Sequence, residues 1–465
     1  MKRRSFPERR GSALMLAVIL SAIVAVISAS YLKMATNESK YSYTGFLRNA
    51  ALNLAEAGAE EAIWALNNED TANWKQLSSN ILYKSSTGFD YKMAKSTSIQ
   101  MIIIDPTTDP ILLTRGLIEL PDGRSMDKFI RIDLTPRNVA PNGLTAKDSI
   151  TFSGGNVTFD AYDSDSTSIT GSLEDAGTVA TTSVINDAAN IANSSVMGGV
   201  ATGGGTVALG PNARVFDADD VNNYGSTSLI PSGYVNPDLV TDDFRSDFPL
   251  IEAPSGGNYI GSINNNTSLG SGTYVVDSIS LNSHKKLDIT GDVTLIVKGD
   301  VKISGNGTGG IYIDQSNGKL EMYIAGDMSV GGNGFVNLDT TSYDPTPLSD
   351  FGVVPDTNGY SKPENMIIFA TGGSGQSIDY HGNAALSGVI YAPEADVSLK
   401  GGGSGGEVLG AIIANTIKVT GTYGFHYDVQ LKNLFFEEDS WRMESWNELV
   451  TASDKSMFRK VFDNL

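Results

Sequence analysis

Residues 13–32 run for twenty positions without a charge, and beyond them the spacing of apolar residues changes from one stretch to the next. At about 1.5 Å rise per residue that run makes a helix of roughly 30 Å, the thickness of a bilayer's hydrocarbon core. Through residues 37–67 the spacing becomes three and four. Leu47, Ala51, Leu54, Gly58, Ala62 and Ala65 fall on one narrow stripe, in a segment rich in Ala, Leu and Glu and free of Pro. From 68 to 137 the period shortens to two, in short runs at 89–93, 98–104, 111–120 and 129–134. Asp105-Pro106, Asp109-Pro110 and Pro121-Asp122-Gly123 supply turns between the later runs. The pattern predicts a small α+β module at 68–140, an antiparallel meander with the helix on one face.

Residues 141–431 repeat. Segment 293–307 (VTLIVKGDVKISGNG) aligns with 320–334 (LEMYIAGDMSVGGNG) at an offset of 27, and 388–401 (GVIYAPEADVSLKG) is echoed by 410–421 (GAIIANTIKVTG) at an offset of 22. Strands of four to six residues broken by Gly-Asp and Gly-Asn-Gly at this period predict a right-handed parallel β-helix. About ten rungs, each stacked on the one before it, would span about 50 Å. A propeller repeats at about 40–45 residues and often carries Trp-Asp signatures, which are missing here. Residues 217–254 and 339–363 read as loops leaving the stack. The tail, 432–465, interleaves Trp441, Met443, Trp446 and Leu449 with acidic residues, and is expected to form a helical cap over the terminal rung. The fold class expected is mainly β, with a long N-terminal helix.

Charge settles direction and partners. Five Lys or Arg and one Glu precede the apolar run, so the positive-inside rule keeps the amino end cytoplasmic and sends the rest across the membrane. Formal net charge is −20, and without residues 1–11 it is −24, a surface that repels nucleic acid and anionic lipid headgroups. No cysteine is present, which excludes disulfides, thiolate metal sites and cysteine nucleophiles. His284, His381 and His426 show no sequence spacing that would join them in a catalytic group. Asp160, Asp163 and Asp165 have a calcium-like spacing but lack the Gly and Glu that an EF-hand loop requires, so turn capping is the simpler reading. Residues 401–406 are Gly-rich, but no Lys-Ser/Thr pair follows as a phosphate loop needs. Between 142 and 431 the only arginines are Arg214 and Arg245, which leaves polysaccharide-lyase chemistry poorly supplied. No enzyme activity, cofactor or metal is expected.

Three readings of the N-terminal run differ in what flanks it. A cleaved signal peptide has an apolar core of about 7–15 residues, shorter than this one. A plain signal anchor needs nothing more than the run itself. The third reading uses the junction Gly11-Ser12: a short basic leader ending in Gly directly before a twenty-residue apolar helix resembles the leader of type IV prepilins. In that family a prepilin peptidase cuts after the Gly, here between Gly11 and Ser12. Residues 50–66 resemble the second half of the long helix in PilX-type pilus assembly proteins. The last part, with Ala392-Pro393, Gly424-Phe425-His426-Tyr427-Asp428 and the downstream Ser445-Trp446-Asn447-Glu448-Leu449, resembles an uncharacterised β-helix domain that follows such amino termini in bacterial envelope proteins. The resemblance implies an inner-membrane subunit that joins other pilin or pseudopilin subunits through a helix including Leu16, Leu54 and Gly58. It implies a minor component of a type IV pilus or type II secretion pseudopilus that starts or caps the fibre. Two departures stand out: Ser12 replaces the usual aromatic residue, and Leu16 occupies the fifth place after the cut, where most pilins carry Glu. The alternative class is a membrane-anchored surface adhesin or carbohydrate-active protein, with a surface glycan or host molecule as ligand.

Overall fold

The computed structural model describes residues 10–68, 70–91, 94–164, 177–305, 309–314, 318–332, 335–338, 362–382, 385–401, 406–434 and 441–463. Among them the chain is mainly β, with three α-helices. It divides into two units: Met1–Arg137 with Phe435–Leu465, and Asn138–Leu434.

In the first unit α1 (Arg10–Asn67) is a single helix of 58 residues. Its second half lies on an antiparallel sheet of β1 (Lys75–Ser78), β2 (Ile81–Thr87), β3 (Ser96–Ile104), β4 (Ile111–Glu119), β5 (Ser125–Pro136) and, at the edge, the tail strand Trp441–Glu448. The stripe expected on α1 is the buried one: Leu47, Ala51, Leu54, Ala62 and Ala65 pack with Ile99, Met101, Ile103, Leu112, Ile130 and Ile132. Thr114 adds a buried hydrogen bond to the Ala55 carbonyl (2.8 Å). The other face of the sheet meets the tail helix α3 (Ala452–Asp463), where Phe462 joins Ile102, Leu113 and Phe129.

Two expectations are corrected here. Of the strand expected at 89–93, residues 92 and 93 lie outside the described residues and 89–91 are not in a strand; β2 forms before them, where Tyr83, Ser85 and Thr87 pair with β3 and Gly88 takes a left-handed turn (φ 96°). The tail expected as a cap groups with the first unit. Trp441 pairs with Pro136 and Trp446 with Ile132, and α3 is pinned by Asp127, which accepts from Arg115 (3.1 Å) and from Arg459 Nε and Nη2 (2.8 and 2.6 Å). Burial pushes the Asp127 carboxyl up, but the two guanidiniums outweigh it and hold it below its ordinary value.

The second unit is a sheet of parallel pairings. One ladder runs through Asn258–Ile263, Gly272–Asn282, Asp292–Val297, Lys319–Ile324, Met366–Ala370, Ala385–Gly401, Gly406–Asp428, Leu144–Tyr162, Thr178–Thr181, Gly199–Ala201 and Val240–Thr241. These are eleven levels. Beside it run two more ladders, one including Lys286–Ile289 and Gly310–Ile313, the other Val301–Gly305 and Met328–Gly332. The offset of 27 is the register itself: Val293 faces Leu320, Val301 faces Met328 and Ile303 faces Val330, all buried. The offset of 22 is the register only from Ala385 to Ala392, with Gly388 beside Gly410; after a register shift the pairing from Asp396 onward, Asp396 beside Thr416, is offset by 20.

Level order departs from sequence order. Leu144, the first level in the sequence, pairs with Ile412 in the last. The chain therefore enters and leaves this unit at neighbouring levels, where the Val139 amide donates to the Leu434 carbonyl (2.8 Å). From there residues 144–241 build four levels outward, and 258–428 build the other seven inward. Residues 217–241, expected as part of a loop, instead form α2 (Ala218–Tyr224), two 3-10 turns and the final ladder strand. Asp217 caps α2 through the Asp220 amide, and Gly225 ends it in the left-handed region (φ 89°). Residues 339–361 lie outside the described residues.

Candidate functional site

In the first half of α1, every residue from Leu14 to Tyr41 is exposed among the described residues. Within the stretch Leu14–Asn67 the most apolar window has a mean hydropathy of 2.4 and none of it is buried, so the helix is long and apolar enough to cross a membrane. Leu16 is 68% exposed. Gly11 and Ser12 lie in the first turns of the helix, and residues 1–9 lie outside the described residues. Leu54 and Gly58, expected at a contact between subunits, are instead spent on this chain's own sheet. Leu54 is buried at 4%, and a Cβ at Gly58 would stand 2.4 Å from Ile99 Cγ2. The stripe has one face, and β3, β4 and β5 occupy it.

A buried polar cluster sits where the seventh and eighth levels meet. His426 pairs with Asp160 in register, and Asp428 with Tyr162. His426 Nδ1 lies 2.6 Å from Asp160 Oδ1, with both side chains about 5% exposed. Asp428 Oδ1 accepts from the Gln430 and Ser164 amides (3.1 and 3.2 Å), while its Oδ2 is buried and has no hydrogen-bond partner among the described residues. Burial pushes the Asp428 carboxyl above its ordinary value. Burial, and then the neighbouring Asp428 and Asp160, push the Tyr162 phenol far up. Asp163 accepts from Gln430 Nε2 (2.7 Å). Asp160 and Asp163 are thus engaged by protein groups, and Asp165 lies outside the described residues. Among the described residues no group of three His, Asp or Glu could hold a metal ion. A buried network of this kind fixes the register between the two levels, because a one-residue slip would separate its partners.

The three histidines stay apart. His284 follows the strand Gly272–Asn282, on the second level. His381 lies on Ser377–Gly382 on the fifth, its ring over Gly331, where a Cβ would stand 2.1 Å from Nε2. His426 is on the seventh. Of residues 401–406, positions 402–405 lie outside the described residues. Two features escaped the sequence reading. The His426–Asp160 pair spans 266 residues and depends on the unexpected level order. The Arg115–Asp127–Arg459 network had a local signal: Thr451 and Asp454 form a capping pair that announces α3, the Asp454 amide donating to Thr451 Oγ1 (3.2 Å).

Residues 250–434 match a family described only as a domain of unknown function (DUF7305). The match covers the seven levels 258–428 and stops short of the four formed by 144–241. No curated protein matches the chain.

Proposed function

We propose that this chain is a minor pilin-like subunit of a type IV pilus or type II secretion pseudopilus, which starts or caps a fibre and displays a parallel β-helix at the cell surface. The observation that carries the reading is the division of α1. One half is an unburied apolar helix of membrane length, and the other is the packed support of an antiparallel sheet. A signal anchor needs only the first half. A subunit drawn from the membrane into a fibre needs both as one rigid helix, with the folded head held at its far end.

The three parallel ladders, with buried Val, Ile and Leu in register and polar residues between them, support the β-helix reading of residues 144–428. In this reading the leader is removed by the prepilin peptidase after Gly11. The amino end is cytoplasmic before processing, and residues beyond the apolar run lie outside the inner membrane. Other pilin or pseudopilin subunits meet the exposed first half of α1, Leu16 among its residues, rather than the buried Leu54 and Gly58. The β-helix then serves as the surface that meets a glycan or host molecule.

Mass spectrometry of protein isolated from membranes tests the reading. The expected amino terminus is Ser12, and substitution of Gly11 by a bulky residue should leave the leader uncut. An intact Met1, or a cut beyond Ala29, would show a plain anchor or a signal peptide instead.

A further inference from the structure

Residues 242–257 connect the eleventh level to the first. They join Thr241, at one end of the ladder, to Asn258 at the other, and so must travel ten level spacings, about 48 Å at about 4.8 Å each. Seventeen Cα–Cα steps at about 3.3–3.6 Å reach roughly 56–61 Å. A loop free to wander could not cover that distance; the segment has to run close to straight. Its contacts follow such a path. The Phe244 amide donates to the Thr202 carbonyl (2.9 Å) and Arg245 to the Gly203 carbonyl (2.9 Å), just past the tenth-level strand. Five residues after Phe244, the Pro249 carbonyl accepts from Tyr391 Oη (2.8 Å) on the sixth level. Four level spacings are about 19 Å and five residues reach about 17–18 Å at most, so even with the Tyr391 side chain extending to meet it the chain here is extended. Exposure alternates as it does in a strand lying on a surface: Phe244, Ser246 and Phe248 are half-buried, Arg245 and Asp247 exposed.

The row beneath this path is apolar where a solvent face should be polar. Tyr323, Phe369, Tyr391, Ile413, Thr145 and Ala180 stand in register on successive levels. They alternate with the row Met322, Ile368, Ile390, Ile412, Leu144 and Val179, so they point to the opposite side of the strands. Phe369, Tyr391 and Ile413 are nevertheless 6%, 2% and 3% exposed, and Tyr323 and Phe369 stack with ring centroids 4.9 Å apart.

We infer that residues 242–257 are a gauge strap: a single extended pass whose length matches the ladder and whose cover of the outer apolar row clamps the four levels of 144–241 onto the seven of 258–428. The inference rests on strand register and strap contacts alone, and stands whether or not the protein joins a fibre. Among the described residues, the junction it guards joins the levels farthest apart in sequence, Leu144 beside Ile412. Ile412–Ala414 and Leu144–Ala146 are held by ladder pairing, by the His426–Asp160 cluster and, at a distance, by the strap.

Strap length can be changed in the full chain. Deleting Pro254, Ser255, Gly256 and Gly257 leaves thirteen steps, at most about 43–47 Å, too short for ten spacings. Hydrogen exchange should then show at least a tenfold loss of amide protection at one ladder end, Val240–Thr241 or Asn258–Ile263. Wild-type protection at both ends would overturn the gauge. A second variant carries a specific protease site between Ser255 and Gly256, cut only after folding, so that a folding failure cannot blur the result. On cutting, exchange at Leu144–Ala146 and Ile412–Ala414 should speed up about tenfold relative to the uncut protein. Unchanged exchange after complete cutting would reduce the strap to a passive connector.

Discussion

A methyl group built on Gly116 would stand 2.0 Å from the Ala51 carbonyl oxygen and 2.8 Å from the Ala55 amide nitrogen, both on the backbone of α1. Backbone atoms cannot rotate aside as a side chain can, so Gly116→Ala has to push the helix off β4, at a cost of about 1–3 kcal/mol. Gly45, half-buried on the same helix, has open space where a Cβ would stand, with nothing within 4 Å, and Gly45→Ala should instead add about 0.5–1 kcal/mol by restricting the unfolded chain. Urea unfolding of the two variants compares them directly, and equal effects would mean that helix and sheet do not touch at this point. Asp428 offers a test with a sign. Its carboxyl is raised above the ordinary 3.8 by burial, so the folded state holds the proton more tightly than the unfolded state does. That contribution is fully present below the ordinary value and is lost as pH rises through the folded one. Asp428→Asn keeps an oxygen for the Gln430 and Ser164 amides without the buried charge, and should stabilise the protein by about 1–2 kcal/mol at neutral pH. The gain should shrink towards pH 4 in unfolding curves taken across that range. A gain that grew on acidification would reverse the assignment.

Successive elements of the repeat show what patterning can and cannot specify. Val301, Ile303, Met328 and Val330 were placeable from sequence because a repeated period carries its own register: once two segments align, every inward residue follows. Ile303→Asp buries a carboxylate without a partner and should cost several kcal/mol, whereas Lys302→Asp, one step along on the solvent side, should be mild. Thermal unfolding decides, and equal tolerance at both positions would mean the register is wrong. The α1 stripe was legible for a similar reason, since Leu47, Ala51 and Leu54 keep helical spacing and all are buried. Level order was not legible. Periodicity says that neighbours in the repeat are alike, not which copy lies beside which, so nothing local announces that Leu144 sits against Ile412. The His426–Asp160 pair was hidden with it. The tail misled by composition: its acidic and aromatic residues suit an amphipathic helix, and α3 is one. Yet Trp441–Glu448 finds a stronger partner in the open edge of β5, which pattern alone could not reveal.

The whole chain places one unit inside the sequence of the other. Asn138–Leu434 is inserted between β5 and the tail strand Trp441–Glu448, and those two strands pair with each other. Tension along the first unit can therefore pass from β5 to the tail strand through their own hydrogen bonds, without unwinding the ladders. If the chain is the fibre subunit proposed above, such an insertion suits a surface module that must stay folded while its carrier is pulled, and the same proposal makes a statement about its place in the fibre. In most pilins the fifth residue after the cut is Glu, paired in the membrane with the amino terminus of the subunit added before it. Here that place holds Leu16, exposed on α1. An unpaired charge within a bilayer costs about 2.5–3.5 kcal/mol on insertion scales, so the Glu pairing acts as a gate on joining a growing fibre. A subunit that starts the fibre has no earlier amine to neutralise and loses nothing by carrying Leu. Bulk points the same way, since an insertion of nearly 300 residues would crowd its neighbours in a close-packed shaft but is free at an end. The subunit is thus expected at one end of each fibre, and a Leu16→Glu variant is expected to appear along the shaft wherever the head can be accommodated. Immunogold labelling of purified fibres with antibody to residues 258–428 checks it. Gold confined to one end is the expected outcome for the wild-type chain, and even spacing along the shaft would rule out a role restricted to initiation or tip display.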